Sequence, residues 1–274
     1  KESSIIFIRI NKMKKQFYKA MENILTRSNR SHSDTVREFF NCVSYTMIMN
    51  SLYQLEKREQ FYSGETTYRF STILNELHVA ERNIIITNRH KFKVDSVFYK
   101  RFANEITYIS GVLSNEIGKN PLTDIFNELF EDLFLTGKKG DSFGQFLTPT
   151  DISELLTDIV YTTSKDKYKI ADSCAGTGSL IFPLIKRIFF KEGFEGIQKV
   201  ELFYNDKDSF VSQLFIAQIL TNMIYHNLDF KSLHVYIGNA ITEYDTVSTL
   251  FLRFKQNKLV AQRVLEIDKE KKAA

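Results

Sequence analysis

In "IADSCAGTGSLIF", residues 170–182, Asp172 stands four residues ahead of Gly176, and Gly178 follows after one threonine. Two glycines this close free the backbone for angles that other residues avoid, and they let a ligand approach the main chain. If a strand precedes them and a helix follows, the unpaired N–H groups and partial positive end of that helix, about half a charge, open onto the same space. Neither common nucleotide pattern fits. A dinucleotide fingerprint wants a third glycine where the chain has Ile181, and a phosphate loop wants a Gly-Lys-Ser or Gly-Lys-Thr that is absent. By itself the Gly-x-Gly suits a structural tight turn as well as a site. A second acid tips the balance. Asp206 closes the apolar run "VELFYND", where a carboxylate accepts hydrogen bonds from ribose hydroxyls in nucleoside-binding sheets; its alternative role is to cap a helix beginning at Ser209. A bulky residue at Gly176 or Gly178 is expected to fill the ligand's space and leave the fold intact.

These residues need elements to hold them. "KYKIADS", "VELFYND" and "LHVYIGN" are short apolar runs, and the first two are each followed by a helical pattern, the second carrying Phe210, Leu214, Ala217, Leu220 and Ile224. Strand, helix, strand, helix, strand predicts a parallel sheet whose ligand lies at the carboxyl ends of its strands, where Asp172 to Gly178, Asn205 with Asp206, and Gly238 with Asn239 converge. The first half reads as helical. Apolar residues recur at three-and-four spacing from Val36 through Phe39, Phe40, Val43 and Met47, and from Leu122 through Ile125, Phe126, Leu129, Phe130, Leu133 and Phe134. Ser33 or Asp34 is expected to cap the first helix, and Pro121 to sit in the opening turn of the second. Between them, "NIIITNRHKFKVDSVFYKRF" carries Arg89, His90, Lys91, Lys93, Lys100 and Arg101. It reads as a solvated face beside a short strand or hairpin, with a phosphate-contacting patch as the alternative. "LTGKKGDSFGQ" is a loop or junction, which places the boundary near Gly140: a mainly helical part over 1–140 and an α/β part over 141–274.

Composition narrows the classes. With 274 residues and 43% apolar content the chain can bury a sizeable core, and its net charge of +4 is too slight to announce a nucleic-acid surface. Cys42 and Cys174 are the only cysteines and the five histidines are scattered, so neither a disulfide framework nor a zinc cluster is encoded. No run approaches the ~18 apolar residues of a spanning helix, and "SIIFIRINKMKK" lacks the order of a signal peptide. The expectation is a soluble protein of the cytoplasm, with no membrane partner and no bound metal.

Five segments, "GQFLTPTDISELLTDIV", "IADSCAGTGSLIFPLI", "LFYNDKD", "AQILTNMIYHN" and "VYIGNAI", resemble in order and spacing the adenine-specific N-6 DNA methyltransferases, above all the modification subunits of type I restriction systems. The resemblance runs from Leu122 to Asn239. Gly144, Phe146, Thr148 and Pro149 match the family's run before the sheet, and Asp172, Gly176 and Gly178 match its Asp-Pro-x-x-Gly-x-Gly with Ser173 in place of proline. The resemblance implies a Rossmann-like class I methyltransferase sheet and S-adenosylmethionine as cofactor. It implies that Phe146, Thr148, Pro149, Asp172, Ala175, Gly176 and Gly178 line the cofactor pocket, that Asp206 binds the ribose, and that Asn239, where the family has aspartate, faces the adenine. Asn222 and His226 also match; on a core-facing helix they are expected to serve packing. DNA is the implied substrate, with a specificity or restriction subunit as the implied protein partner.

The chemistry of transfer is not encoded in the usual way. Methylating the exocyclic amine of a flipped adenine needs an acceptor for its hydrogens and a stacking ring, which the family supplies as Asn-Pro-Pro-Phe or Tyr. The only prolines are Pro121, Pro149 and Pro183, so no two are adjacent, and Leu250 and Phe251 stand where that tetrapeptide would begin. Only 35 residues follow Asn239, too few for four further strands with crossovers at ~5–6 residues per strand, so the sheet is expected to be incomplete and the catalytic residues stay unassigned. Two classes follow: part of an adenine-specific methyltransferase, or a non-catalytic binding or regulatory protein on the same fold, an accessory or anti-restriction protein. In the family's sheet the strand ending at Asp172 is central. "TVSTLFLRF" is therefore expected to pair with it and "LVAQRVLEIDKEKK" to pack beside it through Leu259, Val260, Val264 and Leu265; a second subunit is the alternative cover.

Overall fold

The computed structural model describes residues 2–63, 84–88, 91–92, 94–130, 148–163, 166–243 and 246–273. In chain order its elements are α1 (Glu2–Arg27), α2 (His32–Ser63), β1 (Ile84–Ile86), α3 (Ser96–Arg101), α4 (Ala103–Lys119), α5 (Ile125–Phe130), α6 (Thr150–Val160), β2 (Tyr168–Asp172), α7 (Ile181–Ile197), β3 (Val200–Asp206), α8 (Ser209–Tyr225), β4 (Ser232–Ile237), β5 (Leu250–Lys255) and α9 (Lys258–Ala273). The helical first half and the α/β second half are as expected. The boundary expected near Gly140 falls within 131–147, outside the described residues.

One mixed sheet of five strands runs in the order β1-β5-β4-β3-β2. The three predicted runs become β2, β3 and β4 and pair in parallel, with Ala171 opposite Phe203 and Tyr204 opposite Val235. The placement of β5 corrects the sequence expectation. It pairs antiparallel with β4, Leu233 opposite Phe254, and with β1, Ile85 opposite Arg253, and makes no pair with β2. A parallel return beside β2 needs a crossover, usually helical. Residues 238–243 and 246–249 instead make short-range bonds, Glu243 N–H donating to Asn239 O (2.8 Å) and Leu250 N–H to Thr246 O (3.0 Å), and the chain re-enters next to β4. Phe251, Leu252 and Phe254 are then buried between β4 and β1. The outer edge of β2 pairs with no strand among the described residues. Helix α9 packs on α2 and α7, burying Val260, Ala261 and Val264, while Leu259 stays exposed.

Helix α8 joins the two halves. From Phe210 to Met223 it is buried on all sides, which marks a central helix, and it packs against α2 and α4 on one side and β3 and β4 on the other. Phe40 of α2 touches Phe126, Phe130 and Phe210 in one aromatic cluster. Two helix starts differ from expectation. Ser31 caps α2, its hydroxyl accepting the Asp34 N–H (3.1 Å), because the helix begins at His32 rather than Val36. Helix α5 begins at Ile125, since Leu122 adopts a left-handed conformation (φ 57°) and Asp124 accepts the Asn127 N–H (3.1 Å) as the chain turns in. Leu133 and Phe134 lie outside the described residues. The basic stretch resolves into β1 and α3; Arg89, His90 and Lys93 are outside the described residues. Among the described residues no helix is long and apolar enough to cross a membrane, and no group of three His, Cys, Asp or Glu could hold a metal.

Candidate functional site

Strand β2 ends at Asp172, whose Oδ1 accepts the Cys174 N–H (3.1 Å) and so bends the chain out of the sheet. The turn then tightens: Gly178 N–H donates to Ala175 O (2.8 Å), and Phe182 N–H donates back to Gly178 O (2.9 Å) as α7 begins. Both glycines have positive φ, 55° at Gly176 and 102° at Gly178, yet their surroundings differ. A Cβ on Gly176 would meet nothing within 4 Å, whereas one on Gly178 would lie 2.7 Å from the Phe215 ring and 2.8 Å from that of Phe182. Gly176 therefore faces the open side of the turn and Gly178 the core. A bulky residue at 178 would break packing, which corrects the expectation that both positions probe the ligand space alone.

The end of β3 ties the strand termini together. Asn205, 1% exposed, donates from Nδ2 to Ser173 O (3.1 Å) and to Gly238 O (3.1 Å), and its main-chain oxygen accepts the Ala175 N–H (3.1 Å). Its Oδ1 is buried without a partner among the described residues. Next to it, Asp206 accepts the Gly176 N–H at Oδ2 (2.9 Å) and the Asp208 N–H at Oδ1 (2.9 Å). Helix α8 is capped by Asp208, which accepts the Phe210 N–H (2.8 Å), so Asp206 is not the cap. Behind the turn, the buried Tyr204 hydroxyl donates to Gly176 O (2.6 Å). Burial, then the neighbouring Asp206 charge, pushes the Asp172 carboxyl above the usual carboxylate range, against the opposing hydrogen bond from Cys174.

The third terminus carries Asn239, whose Oδ1 accepts the Ile241 N–H (2.9 Å) and whose own N–H donates to Glu243 (3.2 Å). It lines a cavity of about 680 Å³ together with Arg37, Lys91, Lys207, Phe210 and Glu243. Lys91, from the basic stretch, donates to the Ile237 carbonyl, and burial lowers its pKa while Glu243 raises it. Thr148 O accepts from Asn127 Nδ2 (3.4 Å), and Pro149 O accepts the Ser153 N–H (3.0 Å) at the start of α6. Asp172, Ala175, Gly176, Gly178 and Asp206 thus form one cluster, with Asn239 joined to it through Gly238 and Asn205. Thr148 is tied to Asn127 of α5 and Pro149 to Ser153 of α6, and Phe146 and Gly144 lie outside the described residues.

Sequence reading places Asn205 in a converging loop without its bridging role, and missed Tyr204 and Asp124. Each is defined by what three distant segments bring together, and no spacing announces it. Asn222 and His226, by contrast, make packing bonds: Asn222 Oδ1 accepts the Leu122 N–H (2.8 Å), and His226 Nε2 bonds Ile117 O (2.8 Å). Chemically, the cluster offers two carboxylates with unfilled lone pairs, a buried amide oxygen and an open glycine backbone. That set suits a ligand bearing hydroxyls and positive charge.

Residues 120–261 match the family model described as N-6 DNA Methylase. The type I restriction enzyme MpnII methylase subunit of Mycoplasma pneumoniae is 24% identical over 223 residues, covering 79% of this chain and 36% of that protein. The chain therefore spans about a third of that relative's length. A modification subunit from Vibrio vulnificus YJ016 aligns at a TM-score of 0.44 and 12% identity, covering 83% of this chain and 55% of that one. The type I restriction-modification methyltransferase subunit from Streptococcus thermophilus aligns at 0.40 and 13%, covering 87% and 60%. The family match takes in more than half of the sequence and all three strand termini that meet at Asn205, and on that match this chain belongs to the N-6 DNA methylase family.

Proposed function

We propose that residues 1–274 form the S-adenosylmethionine-binding part of an adenine-specific DNA methyltransferase, with the cofactor held at the carboxyl ends of β2, β3 and β4. One observation carries this reading: in a member of the N-6 DNA methylase family, Asp172, Gly176 and Asp206 are fixed around a backbone that is open at Gly176. The cofactor supplies an electrophilic methyl group. Asp206, with two lone-pair sites beyond its backbone bonds, takes the ribose hydroxyls, and the paired negative charge of Asp172 and Asp206 favours a cationic ligand. Gly176 and Ala175 let the ligand lie against the main chain, Gly178 lets that turn pack on the core, and Asn239 with its cavity receives the base. Thr148 and Pro149 belong to the same pocket by the family resemblance. DNA is the substrate, a specificity or restriction subunit the protein partner, and the cytoplasm the compartment. Calorimetry with S-adenosylhomocysteine tests the reading. Micromolar binding that weakens by about 1.5–3 kcal/mol in Asp206→Ala is expected, the range for a hydrogen bond to a charged group. Absence of binding by the wild-type chain overturns it.

A second reading rests on the absence of adjacent prolines anywhere in the sequence, hence of an Asn-Pro-Pro-aromatic acceptor site: a non-catalytic binding or regulatory protein that keeps the cofactor fold. Cofactor binding without methyl transfer to an adenine-containing duplex, with the partner subunits supplied, favours it. Transfer excludes it.

A further inference from the structure

We propose that Asp124, in the helical half of the chain, is a positioning residue that holds the Gly176–Gly178 turn in its ligand-binding geometry; this rests on the cofactor reading of the turn. Asp124 precedes α5 and is half-buried, with its two oxygens dividing the work. Oδ2 accepts the hydroxyls of Thr177 (2.7 Å) and Ser179 (3.1 Å), both in the turn. Oδ1 accepts Gln218 Nε2 of α8 (3.0 Å) and the Asn127 N–H (3.1 Å). Gln218 Nε2 also reaches Thr177 O (3.3 Å), and Gln218 Oε1 accepts the Phe126 N–H (3.3 Å), so α5, α8 and the turn meet on this carboxylate. Thr177 and Gln218 are both 0% exposed.

A carboxylate buried here is costly, since desolvation pushes its pKa up. Four donors offset that cost, two of them supplied by the turn. Thr177 lies between two glycines with positive φ, a stretch whose backbone is otherwise free to relax. Its far side is pinned by the Tyr204 and Asp206 bonds to Gly176. Removing the Asp124 bonds leaves the near side to the main-chain bonds and the longer Gln218 contact to Thr177 O (3.3 Å), and the open face at Gly176 loses its fixed shape.

The chemistry of hydroxyls gives the test. Asp124→Asn can turn its amide NH₂ toward Thr177 and Ser179, whose hydroxyls reverse and accept, so the tether survives. Asp124→Ala cannot. In the full chain, with S-adenosylhomocysteine as probe, Asp124→Ala is expected to weaken binding about tenfold and to speed amide exchange across residues 175–178 at least tenfold, with exchange in β3 and β4 unchanged. Asp124→Asn is expected to stay within about threefold of wild type on both measures. Should Asp124→Ala not fold, the double variant Thr177→Val with Ser179→Ala removes the same bonds from the other end and carries the same expectation. Unchanged affinity and exchange in either variant overturns the inference, as does an Asp124→Asn variant as impaired as Asp124→Ala. If the wild-type chain binds no S-adenosylhomocysteine while Asp124→Ala still frees the turn amides, the cofactor reading falls and the tether stands.

Discussion

Gly176 and Gly178 lie two residues apart and answer different needs. At Gly176 an added methyl costs only the left-handed backbone, about 1–2 kcal/mol, because nothing lies within 4 Å. Gly176→Ala should therefore fold, melt slightly below wild type and bind S-adenosylhomocysteine more weakly in calorimetry. At Gly178 the same methyl meets two core aromatic rings, so Gly178→Ala should lose more stability than Gly176→Ala at any pH, as thermal melting will show. Asp172 makes a prediction with a sign. Its carboxyl is held above the usual range, so the folded chain binds that proton more tightly than the unfolded one. Its contribution is most favourable in acid and declines as pH rises from about 3.9 through the raised value. Asp172→Asn keeps the oxygen that accepts the Cys174 N–H and removes the charge facing Asp206. It should raise neutral-pH stability by about 0.5–2 kcal/mol and weaken cofactor binding. Equal melting temperatures for the two proteins across pH 4–8 would show that the charge carries no strain. Asp172 and Asp206 were legible because each ends an apolar run. Asp124 was not, since its partners lie in residues 177–179 and 218.

At the scale of elements, strands and helices announced themselves by period, and their ends and partners did so less well. Three apolar runs separated by helical patterns were sufficient for a parallel sheet, because crossover helices leave few other arrangements. The position of β5 was not legible, because the period of "LFLRFK" sets an apolar face of Leu250, Leu252 and Phe254 and says nothing about which edge it joins. The short-range bonds within 239–243 and 246–250 accompany its return beside β4. Helix α8 shows how a cap and a site residue can be confused from sequence. Asp206 and Asp208 are two residues apart, yet Asp208 takes the Phe210 N–H and faces Arg37 (3.4 Å), whose guanidinium lies over the Phe210 ring, while Asp206 turns to Gly176. Asp208→Ala should accordingly lower stability by about 1 kcal/mol, the usual value of an N-cap, with S-adenosylhomocysteine affinity kept within about threefold. Asp206→Ala should show the reverse emphasis, and measuring melting and calorimetry on both variants separates the roles. A large affinity loss in Asp208→Ala would move the ligand toward α8.

Across the whole molecule, one core runs from α1 through α8 into the sheet, but one side stays uncovered among the described residues. Strand β2 has an unpaired outer edge, and α6 turns the wrong way for an ordinary surface helix. Its buried residues are Ser153 and Thr157, while Leu155 (61%), Ile159 (69%) and Val160 (59%) are exposed. A contiguous apolar face of this kind drives association, and so does an open strand edge. Lys169, exposed on β2, is the sort of charge that discourages strand addition, so the apolar helix face should be the stronger contributor. The wild-type chain should show a mass that rises with concentration in sedimentation, and the amides of residues 168–172 should exchange faster than those of β3. Replacing Leu155 and Ile159 with lysine removes apolar surface that already faces water, so each change should alter stability by no more than about 0.5 kcal/mol. The double variant should sediment as a monomer with an unchanged melting temperature. A variant that melts well below wild type would show that α6 buries its apolar side in solution, and association that persists unchanged in a well-folded variant would assign it to the β2 edge instead.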